Sequence, residues 1–175
     1  MEPDAVTAAA AQALVACMVA SLQDSQLEVQ QLASVTLSGM LRCRLADDTL
    51  CGTFMELSMT PIRRRKRRRG ASSAEKEPPL TAEEKSAIAT RHAGLLGLQA
   101  FVTAFPYSIP DWMPAVLVYV SECIGDPDPI KACVKKTLSE FWRTHQDDKQ
   151  ALKDAFSEDQ LQTVKDLVIG YNYYA

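Results

Sequence analysis

The residues with the most distinct chemistry close the chain, which ends in Tyr171-Asn172-Tyr173-Tyr174-Ala175. Tyr173 and Tyr174 offer two rings that bury a large area at low entropic cost, and Ala175 carries a terminal carboxylate that a lysine or backbone N–H groups can bind. This combination suits insertion into a pocket on another protein. The same residues could also fold back and cap the last helix, or stay disordered as many termini do. The residue types leave these three alternatives open.

A run of seven basic residues is the second feature that could bind a partner. It comprises Arg63, Arg64, Arg65, Lys66, Arg67, Arg68 and Arg69. Like charges at this density repel one another, and no helical periodicity surrounds them, so we predict an exposed loop. Such a cluster is typical of a nuclear-import signal, which binds acidic grooves of an import receptor. The alternative is a solvated loop that merely attracts polyanions.

Charge outside this run argues against a nucleic-acid-binding protein. Seven of the 19 basic residues lie in the run, which leaves 12 basic against 22 acidic residues elsewhere. An acidic remainder of this kind excludes a general nucleic-acid binder, and we expect no sequence-specific contact with DNA or RNA.

The residues that usually carry catalysis or metal binding are scattered. The two histidines, His92 and His145, lie far apart in the chain, and none of the five cysteines forms a C-x-x-C pair. We therefore expect free thiols in a reducing compartment, with no metal or cofactor. His92 adjoins an apolar stripe and is predicted to be structural. Because no nucleophile elbow or phosphate-binding loop is present either, we expect a protein that is not an enzyme.

The elements that must position these residues are predicted to be helices. The chain of 175 residues is 47% hydrophobic, which is enough for one domain or several repeat units. Apolar residues recur with helical spacing, and no stretch alternates as a strand does. Helices are predicted at 5–23, 26–43, 47–59, 81–104, 111–125, 130–145, 151–156 and 157–169. Helices linked by short proline turns indicate an all-α fold, a HEAT or armadillo-like α-solenoid segment of antiparallel pairs, with a compact bundle as the alternative.

These helices divide the chain into four parts. We predict helical repeats over 1–59, a basic disordered loop over 60–80, further helical repeats over 81–169 and a flexible docking tail over 170–175. Thr81 and Ser157 have capping-box spacing, Asp47 or Asp48 and Asp111 are expected to cap their helices, and Gly170 is expected to end the last one.

The first helix is apolar on nearly every side. This pattern predicts a buried helix with neighbours on more than one face, and its flanking acidic residues argue against membrane insertion. We therefore expect that further helices precede it and that the chain is a piece of something longer.

Several segments together resemble one known family, the large HEAT-repeat proteasome activators. The similarity is strongest from about residue 88 onward, and the basic run also suits the family. The segments are Arg91-His92-Ala93-Gly94-Leu95-Leu96-Gly97-Leu98, Pro110-Asp111-Trp112-Met113-Pro114, Asp126-Pro127, Lys135-Lys136-Thr137-Leu138-Ser139-Glu140-Phe141, Arg143-Thr144-His145, Phe156-Ser157-Glu158-Asp159-Gln160-Leu161 and Tyr173-Tyr174-Ala175.

The resemblance implies a regulatory function. It implies a cap on the 20S core proteasome whose tail of hydrophobic residue, tyrosine and any residue docks between α-ring subunits and helps to open the gate without ATP or ubiquitin. On this chain the tail maps onto Tyr173, Tyr174 and Ala175, whose carboxylate would meet a pocket lysine. The resemblance also implies binding of acetylated histones and a location in nucleus and cytoplasm. The alternative is a free-standing nuclear helical-repeat adaptor that acts through its basic loop.

Overall fold

The structure is a computed structural model that describes residues 5–63 and 79–172, with side chains described for 8–63 and 79–168. Over these residues the fold is all-α, with eight helices and no strand, which confirms the predicted class. A short 3₁₀ turn, Cys123–Gly125, follows the fifth helix. The helices are α1 Ala5–Ser21, α2 Leu27–Arg42, α3 Leu50–Ser58, α4 Ala82–Ala104, α5 Met113–Glu122, α6 Ile130–His145, α7 Lys149–Ala155 and α8 Glu158–Asn172.

Two helices begin where their capping boxes predict. The Thr81 hydroxyl accepts a hydrogen bond from the Glu84 N–H at 3.2 Å, and the Glu84 carboxylate accepts one from the Thr81 N–H at 2.9 Å. Ser157 and Gln160 exchange the equivalent pair at 3.3 and 3.0 Å. Each box satisfies backbone donors that the first helical turn leaves unpaired, and so fixes the helix start.

The predicted aspartate caps are wrong. The residue before α5 is Trp112 rather than Asp111, and the residue before α3 is Thr49; neither makes a side-chain capping bond. Asp47 instead accepts a hydrogen bond from the Thr49 N–H at 2.9 Å. Aspartate also stabilises turns by bonding the backbone two residues on, and here the turn uses the carboxylate before the helix begins.

Three helices lie side by side and point the same way. The hydroxyl of Ser34 in α2 donates to the carbonyl of Leu96 in α4 at 2.8 Å. At one end Leu27 of α2 lies near His92 of α4, and at the other Arg42 lies near Thr103. Helix α6 follows the same order along α4. Because each of α2, α4 and α6 follows the helix that precedes it in the chain and packs on it, the arrangement is that of a helical repeat.

Helix α4 is the centre of the core. Its residues are buried without interruption from 92 to 102. The ring of Phe101 meets Phe54 of α3 edge-on, with centroids 6.2 Å apart, and meets Trp112 at 5.7 Å. Phe105 makes the same kind of contact with Trp112. These aromatic contacts join the α3–α4 pair to the turn that leads into α5.

Glycines let α3 and α4 approach closely. A Cβ atom added at Gly94 would lie 2.7 Å from the carbonyl oxygen of Phe54 and 2.8 Å from the carbonyl carbon of Leu57. One added at Gly97 would overlap the Phe54 ring. The backbones of the two helices therefore meet directly, and only glycine fits between them.

The expected burial of α1 is not observed. None of its described side chains, residues 8–21, is buried, and several are exposed. Helix α1 packs on α2, through residues such as Met18 and Val19, and its remaining faces are uncovered. Sequence periodicity reports how apolar a helix is, but not whether a second neighbour is present.

In the described part of the chain, no helix combines the length and hydropathy needed to cross a membrane.

Candidate functional site

The predicted docking tail follows α8, and this helix is firmly attached. Val164 and Val168 are buried, and Leu161 and Leu167 are half-buried, so the predicted apolar face is the one that packs. This face lies against α5 and α6. On its flank, the Lys165 ammonium lies 5.8 Å from the centre of the Trp142 ring of α6, a cation–π contact.

The residue just before α8 reinforces this attachment. Phe156 is buried, and its ring centroid lies 5.7 Å from that of Phe141 in α6. Phe141 in turn stacks on His145 at 4.5 Å. The His145 ring nitrogens lie 3.0 Å from the Phe141 carbonyl and 3.3 Å from the Ser108 carbonyl. The contacts run from Phe156 through Phe141 to His145, and all three residues are buried. They fix the direction in which α8 leaves α6.

The helix extends further than the sequence predicts. Gly170 was expected to end it, but α8 continues through Gly170 to Asn172. Glycine permits the left-handed conformation that ends helices without imposing it. The docking residues Tyr173, Tyr174 and Ala175 lie outside the described residues, so the tail stays a prediction. What the structure supplies is its support, a capped and anchored helix.

The basic run also lies mostly outside the described residues. Arg63 is described and is exposed, whereas Arg64, Arg65, Lys66, Arg67, Arg68 and Arg69 are not described. The described residues that flank the run on either side are held in place. On the N-terminal side the Thr60 carbonyl accepts a hydrogen bond from the Arg91 guanidinium at 3.3 Å. On the C-terminal side the capping box of Thr81 begins α4.

Arg91 belongs to a buried polar network that sequence reasoning missed. Its Nε donates to a carboxylate oxygen of Asp126 at 2.8 Å, and the Asp126 side chain is fully buried. A terminal guanidinium nitrogen lies 3.2 Å from the thiol sulfur of Cys123. Nearby, the Ser58 hydroxyl donates to the phenolic oxygen of Tyr119 at 3.2 Å. Burial opposes the charge of Arg91, but the neighbouring groups outweigh it and raise its pKa. The network joins the ends of α3 and α5 to α4.

The remaining titratable residues are dispersed. His92 and Cys133 are buried, and burial lowers the pKa of His92 to about 4 and raises the pKa of Cys133 to about 12. Both are therefore uncharged at neutral pH. Cys17 and Cys43 are exposed, and all five cysteines are free thiols. Within residues 5–63 and 79–172, no three His, Cys, Asp or Glu side chains converge as a metal site would require.

Comparison with known proteins identifies the family. Residues 88–175 match a family model described as "Proteasome activator complex subunit 4-like, C-terminal". The matched region begins in α4 and includes α8 and the tail residues. The chain belongs to this family. The predicted resemblance to the HEAT-repeat proteasome activators is thereby confirmed, and it extends over half of the chain.

Similarity to individual members of the proteasome activator subunit 4 family extends further upstream. The chain is 39% identical over 160 residues to human proteasome activator complex subunit 4, a match that covers 90% of this chain. It is 40% identical over 156 residues to the zebrafish subunit 4A and 34% identical over 154 residues to proteasome activator subunit 4 of Arabidopsis thaliana. In each case the match covers 8% of the relative, so the chain spans a small part of the length of these proteins.

Proposed function

We propose that this chain is a regulatory docking module of a proteasome activator, and that its last three residues bind the α-ring of the 20S core proteasome. Membership of the subunit 4 family supports the partner, because the matched relatives are named as proteasome activators. The chemistry of Tyr173, Tyr174 and Ala175 supports the mode of binding. The role is one of binding rather than catalysis.

The anchored helix α8 is the observation that carries this proposal. A three-residue ligand binds tightly only when its stem is preorganised, because ordering a flexible stem costs free energy at the moment of binding. Helix α8 is capped by Ser157 and held through Val164 and Val168. Because α8 reaches Asn172, the tail residues follow directly on an anchored helix and need not order a long linker.

Two contacts of the tail dominate its affinity in this proposal. The carboxylate of Ala175 pairs with a lysine of the pocket, and the Tyr174 ring fills an apolar space. Leaving a buried lysine unpaired costs about 2–5 kcal/mol, which corresponds to a loss of affinity of roughly 30- to 5000-fold. Docking between α-subunits displaces the residues that close the gate, so bound activator increases hydrolysis of small peptides by the core particle.

Deletion of Tyr173, Tyr174 and Ala175 tests this proposal directly. We expect it to abolish co-purification with the 20S proteasome and stimulation of peptide hydrolysis. Tyr174→Ala and amidation of the terminal carboxylate should each weaken binding strongly in a surface plasmon resonance measurement. Tyr107→Ala is the control for loss of a tyrosine ring, because Tyr107 is 91% exposed and lies outside both α8 and the tail. Unchanged 20S binding by the deletion variant contradicts the proposal.

We propose that the basic run acts as a nuclear-import signal, which gives the chain a nuclear as well as a cytoplasmic location. The proposal is supported by the density of basic residues and by the exposure of Arg63. Replacing Arg64, Arg65, Lys66 and Arg67 with alanine should move a tagged protein to the cytoplasm and abolish binding to an import receptor, while binding to the 20S particle is retained. Unchanged nuclear accumulation refutes it.

The same pair of variants separates the second candidate function, a free-standing nuclear adaptor that acts through its basic run. Under that alternative, the tail deletion leaves every interaction intact and the alanine replacements remove them.

Recognition of acetylated histones, which the family resemblance implies, has its own test. Acetylated histone H4 peptides should bind more tightly than unmodified ones, and equal binding refutes that proposal.

A further inference from the structure

The side of α4 that faces away from α3 carries an open slot. A cavity of about 460 Å³ and a smaller one of about 90 Å³ share Ser34, Gln99 and Lys136, and so form one channel between α2 and α6 with α4 as its floor. A third cavity, of about 430 Å³, shares Leu27, His92 and Pro129 with the small one and continues the channel. We call this channel the α2–α6 slot.

Two buried polar side chains on its floor have hydrogen-bonding capacity that the described residues do not use. His92 is 2% exposed and Gln99 is 5% exposed. Gln99 accepts a hydrogen bond from the Cys133 thiol at 3.4 Å, but its side-chain NH₂ donates to no described residue, and His92 makes no side-chain hydrogen bond there. Because polar atoms that are fully enclosed are normally paired, the unused atoms of these two side chains are available only where solvent or a ligand can reach them.

The unpaired atoms face the slot. Among the described residues, no fully enclosed side-chain nitrogen or oxygen lacks a hydrogen-bond partner. The free atoms of His92 and Gln99 are therefore the part of each side chain that solvent still reaches, and both residues line the slot. They are seven residues apart on one helix, which places them on the same face about 10 Å apart.

The hydroxyl groups of the slot add acceptors. Ser38 donates to the carbonyl of Val35, Thr103 to that of Gln99 and Thr144 to that of Glu140. Since each hydroxyl proton is used within its own helix, the oxygen lone pairs of Ser38 and Thr103 are left to accept from a ligand, whereas the Thr144 oxygen also lies 2.8 Å from Nδ1 of His145. The slot therefore offers acceptors on α2 and α4 as well as the Gln99 donor, and a peptide main chain presents partners for both.

The walls of the slot are positively charged. Arg42 of α2 and Lys136 of α6 are exposed at its rim, and neither forms an ion pair with any residue in the described part of the chain. Two acidic side chains line the slot. Glu140 pairs with Arg143, with 2.6 Å between the nitrogen and oxygen, and Asp128 lines the third cavity together with Lys85. His92 and Cys133 on the floor are uncharged. Arg42 and Lys136 line the same cavity of about 460 Å³, and two cations without an ionic partner among the described residues are complementary to a carboxylate.

We propose that the α2–α6 slot binds an acidic peptide segment of a partner protein in an extended conformation. The side chain of Gln99 bonds the peptide main chain, and Arg42 and Lys136 hold a carboxylate between them. From His92 to Thr103 the floor is about 17 Å long, which matches about five extended residues. A free phosphate would satisfy the cations but not the floor donors and acceptors spaced along α4. The proposal goes beyond proteasome docking and does not depend on it.

Binding of matched synthetic peptides to the full 175-residue chain tests this assignment. The probes are three capped, rhodamine-labelled octapeptides, with Glu-Ala, Gln-Ala or Lys-Ala repeated four times, measured by fluorescence anisotropy at physiological ionic strength. We expect the Glu-Ala peptide to bind about tenfold tighter than the Gln-Ala peptide, because each charge-assisted contact contributes about 1.5 kcal/mol or more. The Lys-Ala peptide should not bind.

Two variants separate the charge from the main-chain contact. The double variant Arg42→Gln/Lys136→Gln should reduce Glu-Ala binding to the Gln-Ala level. The variant Gln99→Leu should weaken both the Glu-Ala and the Gln-Ala peptide about three- to tenfold, since one hydrogen bond is lost in each case. Lys149→Gln/Lys153→Gln on α7 is the matched control, which removes the same charge from exposed residues outside the slot and should alter binding less than twofold.

Three outcomes overturn the proposal. Equal affinity for the Glu-Ala and Gln-Ala peptides removes the role of charge. An equal loss in the α7 control shows attraction to the protein as a whole. Displacement of the Glu-Ala peptide by inorganic phosphate at the same ionic strength shows a site for free anions. Because Arg42 and Lys136 are exposed, their replacement leaves folding intact, and unchanged far-UV circular dichroism and Tm verify this for every variant.

Discussion

The two sides of helix α4 differ in how closely they are packed. On the side of α3 and α5, glycines let backbones touch, and Arg91 is bonded to Asp126, Cys123 and Thr60. On the side of α2 and α6, a channel is left open, and His92 and Gln99 have polar atoms that solvent reaches and that no described residue pairs. One helix therefore has a closed face that fixes the fold and an open face that is available to a ligand. The following predictions test this contrast, in order of expected size.

Breaking the Arg91–Asp126 pair should be the most damaging change to the closed face. Asp126→Ala leaves a buried guanidinium without its carboxylate, which costs about 3–5 kcal/mol of unfolding free energy. Urea unfolding followed by circular dichroism measures this. Glu140→Gln is the control, since it breaks the exposed pair with Arg143 and should leave the midpoint unchanged. Equal effects of the two substitutions would contradict the distinction between the buried and the exposed pair.

Acid should destabilise the open face through His92. Its pKa is 6.5 in the unfolded chain and about 4 in the folded one, because burial disfavours the imidazolium. Between these values the unfolded chain binds more protons, so the unfolding free energy falls as the pH falls from 6.5 to 4, by about 3 kcal/mol in total. The other titratable side chains that line the same cavities as His92 are Lys85, Asp128, Cys133 and Lys136.

The variant His92→Gln isolates this effect. The difference in unfolding free energy between the wild-type chain and the variant, measured by urea titration at several pH values, cancels the contribution of the carboxylates. We expect this difference to shrink steadily below pH 6.5. A difference that is independent of pH means that His92 does not carry the acid sensitivity.

Adding one methyl group to the closed face should also destabilise the fold. Gly94→Ala forces the new Cβ into the backbone of α3, which cannot rotate away, and we expect a loss of about 3 kcal/mol, the upper end of the usual overpacking cost. Gly39→Ala in α2 is the matched control. Nothing lies within 4 Å of its Cβ position, and alanine is favoured over glycine inside a helix by about 0.5–1 kcal/mol. The thermal midpoints of the two variants should move in opposite directions.

The smallest stability effect is expected on the open face, at Gln99. Gln99→Leu replaces a partly unpaired amide by an apolar group of similar size, and the unfolding free energy should change by less than about 1 kcal/mol in either direction. The same variant should lose peptide affinity. A large loss of stability in urea unfolding would show that the amide holds the fold together and is not kept for a ligand.

The sequence predicts the local features of this fold well. Helix α6 has the predicted bounds, and both capping boxes form, because each depends on residues within a few positions of one another. The predictions fail where competing local interactions exist. Either Asp47 or Asp48 is predicted to cap α3, and Asp111 to cap α5, but the residues that precede these helices are Thr49 and Trp112.

Long-range features could not be predicted from the pattern. Arg91 and Asp126 are 35 positions apart, and no periodicity connects them. The slot needs α2, α4 and α6 at once, so none of these helices shows it separately. Helix α1 has the composition of a buried helix, and only the tertiary structure shows that one side alone is covered. Of the two predicted binding segments, the structure describes the supports and Arg63, so the tail and the import signal stay predictions.

The connection between α3 and α4 should tolerate insertions, because the residues that flank it are held in place. The Thr60 carbonyl is held by Arg91, and α4 starts at its own capping box, so neither anchor uses residues 64–78. The entropic cost of closing a connection grows slowly, by about 0.6 kcal/mol for each doubling of its length. The connection can therefore be lengthened, shortened or replaced by an epitope tag while the register of the two helices is kept. During evolution, a different targeting sequence could therefore be inserted here while the packing of α3 on α4 is unchanged.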